Sequence, residues 1–178
     1  MNVRSAKGFS LAELLIVIAI FGIVAVIAVP GLLRARTASN EASAIASLRV
    51  IHSAEAAYAS TCAMGGYAAR LADLAKAPTG AFGYISPDLG ADPSIKSGYI
   101  ITLTAASGAI KVKDAANTCN ASANDAMNGF YATAIPVTLS TTGSRSFATD
   151  SRGTIFFAAG AAPPPEPLTA SATVVALQ

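Results

Sequence analysis

The stretch KGFSLAELLIVIAIFGIVAVIAVP, residues 7–30, decides how the rest of the chain is read. From Leu11 to Val29 every residue is apolar or small except Glu13. At ~1.5 Å per residue this helical run nearly spans a hydrocarbon core of ~30 Å, which predicts a membrane helix. Arg4 and Lys7 stand just before it without a balancing acid. The positive-inside bias therefore places the N-terminus in the cytoplasm and everything after Pro30 outside, a single pass. A secretory signal peptide also starts basic, but its apolar core is usually ~7–15 residues and ends at a small-residue cleavage site. Here the run passes instead into further helical sequence.

Beyond Pro30-Gly31 the pattern turns amphipathic. Ala44, Leu48, Ile51, Glu55 and Tyr58 recur at spacings of four and three among polar neighbours that include Arg34, Arg36, Asn40, Glu41 and Arg49. One helix is expected to continue to about residue 60. Pro30 removes a backbone donor and crowds the preceding turn, so with Gly31 beside it the helix is expected to bend there without ending.

Glu13 is the residue that does not belong in the apolar run, because a carboxylate inside a bilayer is costly and by default functional. A shallow position, helped by the positive end of the helix dipole, is the bland explanation. The neighbours supply another. Lys7-Gly8-Phe9-Ser10-Leu11-Ala12-Glu13-Leu14-Leu15 resembles the leader junction of type IV prepilins and of type II secretion pseudopilins. That resemblance, close from Lys7 to about Gly31, implies that a membrane-embedded prepilin peptidase cuts between Gly8 and Phe9 and methylates the new amine of Phe9. It also puts Glu13 at the family's fifth mature position, where the carboxylate pairs with such an amine. Residues four apart on a helix are neighbours, so the Phe9–Glu13 pair can form within one chain. In the family it is thought to form between adjacent subunits and to set their stagger.

The remaining sequence suits one globular unit. Gly65-Gly66, Ala77-Pro78-Thr79-Gly80, Ser86-Pro87-Asp88 and Asp92-Pro93 mark a long loop region, interrupted by a short helix near 67–76 with Leu71 and Leu74 facing inward. Residues 98–104 and 109–113, joined by Ala105-Ala106-Ser107-Gly108, read as a β-hairpin. Residues 130–137 and 146–149 read as a second pair across a Thr-Thr-Gly turn, with a last strand at 154–157. The expected fold is α+β: a long N-terminal helix, half membrane and half amphipathic, packed on an antiparallel sheet of four or five strands, pilin-like. The expected organisation is a leader at 1–8, a transmembrane or filament-core helix at 9–30, and an extracytoplasmic unit at 31–160 that includes the amphipathic helix 31–60. A Pro-rich tail at 161–178 is expected to be extended and exposed.

Composition narrows the function. Of 12 basic and 10 acidic side chains, the excess of two lies at Arg4 and Lys7, leaving no clustered basic footprint for nucleic acid. Cys62 and Cys119 are the only cysteines, an even count in a segment placed outside the cytoplasm, which predicts a disulfide with two reduced thiols as the alternative. His52, the only histidine, has no accompanying nucleophile motif. Asp114, Asp125 and Asp150 are scattered and fit no calcium loop, so neither metal nor cofactor nor catalytic residues are expected. Asn120-Ala121-Ser122 matches a glycosylation sequon, a pattern common by chance.

The resemblance implies a structural filament subunit, not an enzyme. Its partners would be copies of itself and related pilins, the prepilin peptidase, an inner-membrane assembly platform and, before assembly, membrane lipid. A type IV pilus is the first expectation, a type II secretion pseudopilin the alternative, and a membrane-tethered enzyme or receptor the least favoured. The expected location is the bacterial inner membrane, then a pilus or periplasmic filament.

Overall fold

A computed structural model of the protein describes residues 8–177. The chain divides between Arg36 and Thr37 into two units. One helix, α1 (Leu11–Thr61), contributes to both and continues through Pro30.

In the first unit α1 is apolar around its whole circumference, and every residue from Gly8 to Arg36 is exposed. Such a helix satisfies all its interior backbone groups internally, so it is stable where water is absent. It is also long and apolar enough to cross a membrane. Among the described residues none covers Phe21, Ile23, Val26 or Ile27, all exposed. In water that would be an unusually large apolar surface.

In the second unit α1 buries Ala44, Leu48, Ile51, Glu55 and Tyr58, the stripe that the spacing of four and three predicts. A short helix, α2 (Leu71–Ala75), buries Leu71 and Leu74, as expected. The strands are β1 (Ser94–Lys96), β2 (Tyr99–Ala105), β3 (Lys111–Lys113), β4 (Ala126–Met127), β5 (Phe130–Pro136), β6 (Arg145–Asp150), β7 (Ile155–Ala159) and β8 (Val174–Ala176). Six of them form an antiparallel sheet in the order β1-β2-β5-β6-β7-β8, and β3 and β4 form a separate pair. Side chains two apart share a face of a strand. Tyr99, Ile101 and Leu103 of β2, with Phe130, Ala132 and Ala134 of β5 and Phe147 of β6, thereby meet the buried stripe of α1 in one core.

The α+β class stands, with two differences in the sheet. The hairpin expected between residues 98–104 and 109–113 does not form. The turn after Ala105 does reverse the chain, Ala109 N–H donating to Ala106 O at 3.0 Å. However, β2 pairs along its whole length with β5, from Tyr99 opposite Pro136 to Ala105 opposite Phe130. The three-residue Lys-Val-Lys segment cannot cover a seven-residue strand that is apolar on one face, and Phe130–Pro136 can. Two further strands, β1 and β8, extend the sheet to six. Each has three residues, too short for a periodic signal.

The tail also differs from an exposed extension. Leu168 and Val174 are buried with Ala148 and Phe156 in a second cluster, and β8 hydrogen-bonds to β7. Polar anchors reinforce this seat. The Glu166 carboxylate accepts the Ser107 N–H at 3.0 and 3.1 Å, the Tyr131 hydroxyl donates to Pro164 O, and Arg152 donates to Leu168 O.

Candidate functional site

The N-terminal junction is built by the way α1 begins. Gly8 and Phe9 are exposed and non-helical, so the Gly8–Phe9 peptide bond lies just outside the helix. Ser10 then caps it: its Oγ accepts the Ala12 N–H at 3.3 Å, while the Glu13 carboxylate reaches back to accept the Ser10 N–H at 2.9 Å. This reciprocal pair is close to a capping box, with the Ser10 hydroxyl on the N2 amide in place of N3, and it satisfies two of the four amides that every helix start leaves without an intrahelical partner. Ser-x-x-Glu ahead of an apolar run is the sequence signature of such a cap. The free Phe9 amine expected to pair with Glu13 does not exist while Phe9 is joined to Gly8. The leader residues Arg4 and Lys7 lie outside the described residues.

A second group of polar side chains sits where α1 ends. Cys62, next after Thr61, is joined to Cys119 by a disulfide. Beside it, Glu55 is fully buried: one carboxylate oxygen accepts the Ala68 N–H at 2.8 Å, and the other oxygen has no hydrogen-bond partner among the described residues. Burial pushes the Glu55 carboxyl up to about 8, with the negative charge of Asp73 adding to the rise and the Ala68 amide opposing it. Asp73, from α2, accepts the Ala123 N–H at 2.8 Å and the Asn124 side-chain amide at 3.0 Å, which holds the loop carrying Cys119. The sequon residue Asn120 is part of this scaffold. It is buried and donates to Asp73 O and Lys76 O at 2.8 and 2.9 Å, so its amide is already committed to the fold.

Further along α1, Glu41 is 6% exposed and carries a different environment. Burial pushes its carboxyl up, but hydrogen bonds from the Ser144 amide, Arg145 and the Ser144 hydroxyl outweigh that and hold it below the usual range. Arg145 Nη2 lies 2.6 Å from Glu41, and its guanidinium packs over Phe147 and Phe157. Glu41 thus ties α1 to the start of β6.

His52 packs against Phe130, ring centroids 6.1 Å apart, and against the turn at Gly153. Gly153 has φ +81, and a Cβ there would come within 2.7 Å of the imidazole. Asp114 pairs with Lys111 at 2.6 Å, Asp125 accepts the Ala115 N–H and lies 3.8 Å from the same Lys111, and Asp150 pairs with Arg152 elsewhere. Among the described residues no three His, Cys, Asp or Glu side chains form a group able to hold a metal ion.

Compared with known families, residues 3–29 match the model of the prokaryotic N-terminal methylation motif. No curated protein and no solved structure matches the chain. The chain therefore carries the prepilin motif found in type IV pilins and pseudopilins. With a long N-terminal helix on an antiparallel sheet, this supports a pilin-like or pseudopilin subunit, a structural class of protein.

Proposed function

We propose that the protein is a structural subunit of a type IV pilus-like filament, made as a precursor, cut between Gly8 and Phe9 by a prepilin peptidase and methylated on Phe9. The observation that carries this reading is the coincidence of the methylation motif with a helix whose apolar surface, from Phe9 to Leu33, is exposed among the described residues. Lipid covers that surface before assembly and the same segments of neighbouring subunits cover it afterwards, while the disulfide-linked unit stays outside the cytoplasm, where such bonds persist. In the processed chain Glu13 exchanges or shares its capping role with the new amine of Phe9, so that two charges in an apolar setting offset each other.

The test is the intact mass and N-terminal residue of the protein recovered from the cell envelope. A chain beginning at methylated Phe9 is the expected result. An intact Met1, or a chain cut after Ala28, would mean a plain anchor or a signal peptide. Recovery of the processed chain in sheared surface fibres fits a pilus, and retention of all of it within the envelope would move the reading to a secretion pseudopilin.

A further inference from the structure

Phe82 is 95% exposed, and among the described residues from Thr37 on it is the only exposed aromatic side chain. It does not sit on a loose loop. Tyr84 N–H donates to Leu74 O at 2.8 Å and Ala81 N–H to Pro78 O at 3.1 Å. Gly83 is pressed so closely on the end of α2 that a Cβ would lie 2.3 Å from Ala75 O. The segment Ala77 to Pro87 carries no charge. A rigid, uncharged turn holding one ring in water has the preorganisation of a binding knob.

The matching depression lies on the outward face of α1. It is open, about 360 Å³, and lined by Arg49, Val50, Ser53, Ala57 and Tyr84 over the buried Ala54. Small side chains leave room for a flat ring. Arg49, which makes no salt bridge among the described residues, offers a guanidinium to its face, and Tyr84 offers an edge. Phe82 does not fill this depression in its own chain.

We infer that Phe82 of one copy docks in the Arg49–Val50–Ser53–Ala57–Tyr84 depression of a second copy. The knob and the hole are carried on one subunit, with Phe82 two residues from the Tyr84 that lines the hole, and neither is met within that subunit. This contact lies in the second unit and rests on the filament reading above.

The test places a photo-crosslinking amino acid at position 82 of the full chain in its native envelope, with isotopically labelled and unlabelled copies mixed before assembly. Mixed-mass crosslinks joining position 82 to the segment Val50–Ala57 are expected. Crosslinks that are absent from assembled material, that stay within one chain, or that map elsewhere would overturn the inference. Phe82→Ser is expected to lower the assembled fraction about tenfold or more, from the loss of one buried aromatic ring per contact, with Phe82→Tyr restoring it. Normal membrane level and disulfide formation in Phe82→Ser show that folding is intact. Assembly unchanged in that variant would also overturn the docking. If the parent chain is processed and assembles but the crosslinks fail, the docking alone falls; if the parent never forms multimers, the filament reading falls with it.

Discussion

A rise in pH from about 5 to about 8 should weaken the globular unit through Glu55, and Glu55→Gln should remove that weakening. In the folded chain the carboxyl is raised from 4.5 to about 8. Below 4.5 the folded and unfolded chains both hold the proton, and the buried group costs nothing electrostatically. As pH rises toward 8 the unfolded chain releases the proton while the folded one keeps it, so stability falls with pH. Above about 8 both are ionised and the loss is complete. The interval, roughly 3.5 pH units at ~1.4 kcal/mol each, gives an upper figure of about 5 kcal/mol. That is comparable with the whole stability of many domains. Urea unfolding of the purified chain in detergent micelles, followed by near-UV circular dichroism between about pH 5 and 8, reads the effect. The parent midpoint should drop across this range and that of Glu55→Gln should stay level. Glu41, whose carboxyl is lowered, contributes stability that is lost on acidification instead, so it does not confuse the range above pH 5. Parallel profiles for parent and variant would refute the reasoning, because they would mean that Glu55 reaches a partner or solvent when ionised.

Two further perturbations separate the covalent and ionic ties of α1. Replacing Cys62 and Cys119 together by serine opens a loop of 57 residues, which in the chain-entropy model costs about 4 kcal/mol, measurable as a lower urea midpoint. Glu41→Ala strands Arg145 and the Ser144 N–H. Because the Arg145 side chain is 38% exposed, the loss should be about 2 kcal/mol, below the figure for a fully buried pair, and Glu41→Gln should recover part of it.

What could be read from the residues alone follows the range of the interactions involved. The stripe Ala44, Leu48, Ile51, Glu55 and Tyr58 was legible because helical periodicity is local, and all five residues are buried. The pairing of Phe130–Pro136 with Arg145–Asp150 was legible because the two strands are neighbours in the sequence, joined only by residues 137–144 with their Thr-Thr-Gly turn. The partner of Tyr99–Ala105 was not. The nearby turn at Ala105–Gly108 looks like a hairpin, and only the match of length and apolar face between strands separated by 25 residues selects β5. The tail misled for a related reason: Pro163–Pro167 reads as extended, and nothing local says that Leu168 and Val174 fall on an apolar sheet face. At the N-terminal junction Glu13 stood out as a charge within an apolar run, and Gly8 and Phe9 by the resemblance to a prepilin leader junction. The approach of Asp73 to Glu55, from a different helix, had no local signal.

The position of the disulfide has a mechanical consequence. α1 ends at Thr61 and the crosslink begins at Cys62, so once the Glu41–Arg145 tie has given way, tension travelling along the helix meets a covalent bond before the loop region beyond it is loaded. The segment between Cys62 and Cys119 is then shielded from stretching: at ~3.5 Å per residue, about 200 Å of contour length cannot be drawn out while the bond holds. Under a steady pull the oxidised subunit would transmit load to the sheet through Cys119 and extend only beyond it, whereas the reduced subunit would pay out its loop region first and slacken.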